Sequence, residues 1–352
     1  MALSAADAAA VRDEARVRSM LAERMLAITG MPELERLVHA VGKLLQGEKP
    51  EDQRELAGPI ANFLTGFSGK ADASPEAAAQ SARGLLEKAR EIIMVLRIDT
   101  LQAWLVEIPQ EFDPSAPPSG DSGDDVVGFA ASNTLSHIVY ACLEAAVVRP
   151  LLGRLIICFN DMAGTGSSAE FAFDSKRREL RQCNQEYFGI APKLQSPSGW
   201  ASVIAKVNSV ETPNATGMPP LPSEQLASLV VAAGSVYTLF TAENTSGKFI
   251  SGDDFLPIFI YVVVQSQLSK LDQMWHYMFY LADPVLLTGE GGYYLGVFEA
   301  AIHYIRNWFP EQMRVATPDK QLPVSPRAVP TTTCYPGGWS ESLLVRAAGA
   351  QR

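Results

Sequence analysis

Histidine is scarce in this chain, with four in 352 residues: His39, His137, His276 and His303. They lie far apart and are read as unmatched by acids at ligand spacing, so no metal site is expected. The four cysteines, Cys142, Cys158, Cys183 and Cys334, show no C-x-x-C spacing. Reduced thiols in a cytosolic protein fit this pattern, and spacing alone leaves a disulfide open. There is no G-x-S-x-G, no H-E-x-x-H and no Walker lysine loop, and Gly289 to Gly292 lacks the Lys-Ser/Thr that phosphate binding requires. No covalent chemistry and no cofactor are therefore expected. Basic charge is lacking too. Lys plus Arg number 29 against 39 Asp plus Glu, a net charge of −10, which argues against a nucleic-acid partner. The most apolar long run, Ile138 to Phe159, contains Glu144, Arg149, Pro150 and Arg154, and is predicted to form two core helices rather than a transmembrane anchor. The alanine-rich residues 2 to 11 lack the charged lead and dense apolar block of a signal peptide. A cytoplasmic protein is expected.

Hydrophobic residues make up 47% and charged residues 19%, enough for a substantial core in two domains. Residues 1–112 show helical spacing and no strand-like alternation. Helices are predicted over 5–28, from Pro32 to Gly47, and from Pro50 with a kink at Gly58-Pro59. Ser74-Pro75-Glu76 supplies an N-cap and first turn for a long fourth helix whose apolar positions run to Ile108. Residues 113–132 open with DPSAPPSGDSGDD and read as a linker. A helix ending at Arg149-Pro150, a short helix over 151–159, a Gly/Ser loop over 160–168 and a charged helix opened by Asp174 follow. Lys176, Arg177, Arg178 and Arg181 read as a solvated basic face, with acidic lipid or a partner as the alternative. Helices carrying Trp200 to Val207 and Leu226 to Phe240 flank a proline-rich loop. Residues 311–352 hold five spaced prolines without periodicity and read as a disordered tail.

The chain is organised around Ser251 to Ile305. Asp253 and Asp254 precede Phe255-Leu256-Pro257, and because proline suits only a first turn, the helix is predicted to start near Asp254. Phe255, Ile258, Phe259, Ile260 and Val262 to Val264 leave almost no polar face, which predicts a fully wrapped helix. After a glycine-rich turn, Gly289 to Gly292, a helix from Tyr293 has one apolar face through Tyr294, Val297, Phe298, Ala301, Ile302, Ile305 and Trp308. Its other face carries Gly296, Glu299, Ala300, His303 and Asn307. Tyr293, at the rim, reads either as a ring at the edge of the core or as a shelf for another protein's loop.

Gly252-Asp253-Asp254-Phe255-Leu256-Pro257, then Asp283-Pro284, then Thr288-Gly289-Glu290-Gly291-Gly292-Tyr293-Tyr294-Leu295 closely resemble the vacuolar-protein-sorting-nine domain of Rab exchange factors. The second motif is most similar to the Ras-and-Rab-interactor branch. The resemblance implies an all-α fold with an N-terminal helical bundle packed against a layered helical exchange domain over 133–310. It also implies GDP release from a Rab GTPase of the Rab-five subgroup, and recruitment to early endosome membranes. On the matching positions, Asp253 is the acid that displaces nucleotide, Pro257 fixes the helix, and Tyr293 packs on the GTPase switch region. Asp254 is either a second acid or a cap, and Ala300 lies on the same binding face. Gly296 stands where the family has a threonine. Losing that hydroxyl contact costs about 0.5–1.5 kcal/mol, which predicts a weaker or differently selective exchanger, with a non-exchanging Rab-binding adaptor of the same fold as the alternative.

Overall fold

The computed structural model describes residues 40–67, 74–96, 124–164, 167–213, 217–244 and 249–309. The expected helix over 5–28, the fourth helix beyond Leu96, most of the 113–132 stretch, His39, Cys334 and the 311–352 segment lie outside the described residues. Among the described residues every regular element is helical, as the all-α reading expected.

A helix over 40–46 ends at Gly47. The expected kink at Gly58-Pro59 takes the form of a π turn over Gln53–Ala57, directly ahead of helix α1 (Gly58–Gly66). A proline that cannot donate a hydrogen bond is accommodated there by one wider turn. Helix α2 (Pro75–Leu96) starts as predicted, with the Ser74 hydroxyl accepting the Ala77 N–H at 3.3 Å. Its buried positions Ala79, Ala82, Leu86, Ala89 and Ile93 follow helical spacing. The small alanines let α2 pack closely on α3 (Asp124–Met162).

Helix α3 corrects the sequence reading. It is one element of 39 residues with Pro150 inside it, not two helices broken at Arg149-Pro150, and it begins within the stretch expected as linker. An interior proline costs a helix about 3 kcal/mol. Here Val147, Val148, Leu151 and Leu155, all fully buried around it, offset that cost by roughly 1.5–3 kcal/mol each.

Helix α4 (Ser167–Leu180) starts seven residues before Asp174, the expected opening. A 3-10 turn over Gln185–Phe188 and helix α5 (Ala201–Asn208) follow. Next come α6 (Pro222–Glu243), α7 (Gly252–Gln265), α8 (Leu271–Leu281), the short α9 (Pro284–Leu287) and α10 (Glu290–Asn307). By length and composition α6 could cross a membrane, but Leu226, Leu229, Ala232, Ala233, Val236 and Phe240 are spent in the core.

Two cores adjoin. One is built on α2 and α3, the other on α5, α6, α7 and α10. Helix α8 belongs to both: Met274 and Met278 face the second core, Tyr277 and Leu281 the first. The N-terminal helices are therefore not a separate bead, because one helix of the second layer completes their core.

Helix α7 is wrapped as its sequence predicts, with Phe255, Ile258, Phe259 and Val262 to Val264 fully buried. Its C-terminal carbonyls need partners, and the charged segment on α4 supplies them. Arg177 is 4% exposed. Its guanidinium donates to the carbonyls of Val263 at 2.9 Å and Ser266 at 2.6 Å, and to the Ser266 hydroxyl at 2.8 Å. Arg181 donates to the Val264 carbonyl at 2.9 Å. Lys176 reaches the Arg306 carbonyl and lies over the Phe309 ring. This corrects the solvated-face reading: a helix C-terminus attracts cations, and three of the four basic side chains are used in packing or capping. Burial lowers the Arg177 guanidinium to about 10, with Arg181 adding to the shift, so it remains charged at neutral pH.

Candidate functional site

The site begins at the N-terminus of α7. Ser251 is the N-cap: its hydroxyl oxygen accepts the Asp254 N–H at 3.2 Å, and Asp254 Oδ2 accepts the Ser251 N–H at 3.2 Å and its O–H at 2.6 Å. This reciprocal box starts the helix at Gly252, two residues before the predicted position, and leaves Pro257 as its sixth residue. The cap overrides the proline signal, because Ser251 satisfies the first-turn amides wherever it stands. Pro257 offers no N–H to the Asp253 carbonyl one turn earlier. Asp254 is committed to the box. Asp253, next to it, is exposed and carries no hydrogen bond or ion pair among those the structure shows.

The second part of the site is the start of α10. Gly289 to Gly292, expected as a turn, is helical from Glu290 onward. A Cβ placed on Gly291 would stand 2.5 Å from the Leu286 carbonyl oxygen, and one on Gly292 would stand 2.1 Å from that of Leu287. The glycines are there for close approach, since they let α9 press against the first turn of α10. Tyr293 emerges at the next position, 36% exposed. Its ring belongs to an aromatic cluster that joins three helices. Phe255 lies 6.4 Å from Tyr293, 5.5 Å from Tyr294 and 5.3 Å from Tyr237, the last stacked. Burial raises the Tyr293 phenol, and the Asp253 carboxylate raises it further. The acid and the ring are thus electrostatic neighbours although 40 positions apart in sequence.

Gly296 is exposed and Ala300 half-buried, and both share the Tyr293 face of α10 at helical spacing. A Cβ on Gly296 meets nothing within 4 Å. Pro257 is half-buried on α7, which packs alongside α10. Together these residues form a surface on which the Asp253 carboxylate, unpaired among the described residues, neighbours the Tyr293 ring.

Behind this surface lies a polar network that the sequence reading did not identify. Asp283, 1% exposed, accepts from Arg90 Nη1 at 2.8 Å and pairs with His137 Nδ1 at 2.6 Å. Its side chain also accepts the Val285 N–H at 3.0 Å. Burial opposes its charge, but His137, the Val285 amide and Arg90 together hold the carboxyl below its usual range. The Asp283 N–H donates to the Ser223 hydroxyl at 2.9 Å, and that hydroxyl donates to Glu144 Oε1 at 2.6 Å. Glu144 is fully buried, and burial pushes its carboxyl well above the ordinary value. A lone acid inside the apolar run Ile138 to Phe159 was the available signal, because a buried carboxyl needs partners.

Two pairs stand at one-turn spacing, Asp272 with His276 and Glu299 with His303, the latter 3.8 Å apart. This corrects the view that no histidine has an acid at ligand spacing. They line a cleft of about 100 Å³ with Arg306. Among the described residues no group of three or more His, Cys, Asp or Glu is placed to hold a metal ion. Cys142, Cys158 and Cys183 take part in no disulfide among the described residues.

Residues 220–310 match the Vacuolar sorting protein 9 (VPS9) domain. This region is a VPS9 domain. The chain is similar to Ras and Rab interactor 2 of Homo sapiens, 41% identical over 91 residues, which is 26% of this chain and 10% of that protein. It is also similar to Ras and Rab interactor 3 of Mus musculus, 34% identical over 174 residues, 49% of this chain and 17% of that one. Protein sprint of Drosophila melanogaster is 28% identical over 182 residues, 49% of this chain and 9% of its own length. The chain thus spans less than a fifth of the length of each of these relatives. Asp253, Asp254, Pro257, Tyr293, Gly296 and Ala300 all lie inside the VPS9 span. Arg90, His137 and Glu144 lie outside it, on the two helices that pack behind.

Proposed function

We propose that this protein is a guanine-nucleotide exchange factor that promotes GDP release from a Rab GTPase of the Rab-five subgroup. The observation that carries the reading is the division of labour at the start of α7, within the VPS9 domain. Asp254 closes the cap, and Asp253 is left with no hydrogen-bond or ion-pair partner among the described residues, held on a helix end beside the Tyr293 ring.

A GTPase holds GDP through its phosphates, a Mg²⁺ ion and a phosphate-loop lysine. A fixed carboxylate entering that site repels the phosphates, competes for the metal and gives the lysine a replacement partner, so no buried cation is stranded. No covalent bond is made or broken. The factor binds the emptied GTPase better than the loaded one, and differential binding lowers the barrier to release. Tyr293 packs on the switch region, with Pro257, Gly296 and Ala300 around it. The setting is the cytoplasmic face of early endosomes, in endocytic vesicle traffic.

Gly296 supports a second reading, a Rab-binding adaptor of the same fold that does not empty its partner. Its exposed position has room for a threonine but offers no hydroxyl. The test is GDP release across a Rab panel with the wild-type chain and with Gly296→Thr. Release by the wild type supports exchange. Release by G296T alone, with wild-type binding retained, supports the adaptor.

A further inference from the structure

We infer that Arg90 and His137, outside the VPS9 domain, are positioning residues for the GTPase-docking surface, acting through Asp283. The inference rests on the exchange-factor reading and extends it to the helices behind the domain. Arg90 is on α2 and His137 on α3. Their side chains converge from different helices on the two oxygens of one buried carboxylate, Oδ1 at 2.8 Å and Oδ2 at 2.6 Å. Because Asp283 is ionised, His137 Nδ1 carries the proton and donates.

The same carboxylate is the N-cap of α9. Its Oδ1 takes the Val285 N–H at 3.0 Å, and its backbone carbonyl takes the Leu286 N–H at 3.0 Å. A four-residue helix has no stability of its own, so its orientation is that of its cap. The carbonyls of Leu286 and Leu287 in turn press on Gly291 and Gly292, where even a methyl group would not fit. Tyr293 is the next residue. The path from α2 and α3 to the docking ring is therefore a run of contacts: two donors, one carboxylate, one cap and two glycines. The N-terminus of α7, which presents Asp253, is held by its own Ser251–Asp254 box and does not depend on this path.

That separation gives a signature. Tyr293 contributes docking, which is felt as KM for the GTPase, whereas Asp253 acts in displacement, which is felt as kcat. Loss of docking alone raises KM at constant kcat, whereas general unfolding lowers the active fraction and hence kcat. The experiment uses the full chain and a GDP-loaded Rab GTPase of the Rab-five subgroup, with His137→Leu, Arg90→Gln and the restoring variant His137→Asn, whose amide can donate where Nδ1 does. Hydrogen exchange is followed at the amides of 284–294 and of α7. The expected result is a KM raised about tenfold in H137L and R90Q, with kcat near wild type. Exchange at 284–294 is faster while α7 stays protected, and H137N returns both readouts toward wild type. Unchanged KM and unchanged protection at 284–294 in a folded H137L or R90Q would overturn the inference. Should H137L fail to fold, R90Q decides alone, since glutamine keeps a polar side chain at its position whereas leucine does not. If the wild type releases no GDP, the exchange-factor reading fails, and the hydrogen-exchange arm still accepts or rejects the positioning path.

Discussion

Arg177 caps the carbonyl end of the helix whose amide end presents Asp253, so the cation and the anion complement the dipole of α7 from opposite ends. The two are not equivalent. Arg177 is buried and hydrogen-bonded to several acceptors, whereas Asp253 is exposed and unpaired among the described residues. Arg177→Met is expected to strand several buried carbonyls and to destabilise the protein by about 3 kcal/mol. Arg178→Met, at an exposed neighbouring position, should change stability by less than about 0.5 kcal/mol. Urea unfolding followed by circular dichroism measures both.

The adjacent acids at the start of α7 separate in the same way. Asp254→Ala breaks the capping box and should cost about 1 kcal/mol, with GDP release retained in the folded protein. Asp253→Ala should cost less stability, and its effect should fall on exchange. A paired measurement of melting and GDP release on the two variants checks the assignment. Equal exchange defects in both would show that the two acids share one role.

Glycines in α10 divide by what surrounds them. Gly296→Ala places a methyl group in open space on an exposed helix face and should stabilise by about 0.5–1 kcal/mol. Gly292→Ala drives a methyl group into the Leu287 carbonyl and should destabilise by more than that, because backbone rather than a flexible side chain must yield. Melting temperatures of the two variants should move in opposite directions.

His276 gives the protein a pH dependence of known sign. Burial lowers its pKa to about 4, against the partial opposition of Asp272, Glu299 and Glu76. The unfolded chain titrates near 6.5, so it binds a proton first as pH falls. Stability should therefore decline between about pH 6.5 and pH 4 and be unaffected by this residue above that window. In His276→Gln the slope over that window should flatten, as measured by urea midpoints at each pH.

Much of the second layer was legible because its determinants are local. The unbroken apolar run of α7 and the seven-position face of α10 specify buried helices by spacing alone, and both faces are buried as expected. Asp253 and Tyr293 stood out as polar and aromatic positions at helix ends. What escaped the sequence reading is what depends on reach across the fold. Arg177 looks like surface charge until the carbonyls of Ser266 and Leu268 are brought to it from about 90 positions away. Asp283 meets Arg90 and His137 across 193 and 146 positions, a convergence that no local spacing encodes. Pro150 signalled a break that burial overrides, and Gly291 and Gly292 signalled a turn where they serve close packing.

The measurement that tests the central claim most directly is GDP release from a Rab GTPase of the Rab-five subgroup by the full chain, wild type against Asp253→Ala. The account predicts accelerated release by the wild type and a loss of at least about tenfold in D253A, equivalent to 1.36 kcal/mol or more of barrier, with melting changed by no more than about 1 kcal/mol. Equal release rates from the two proteins would contradict it.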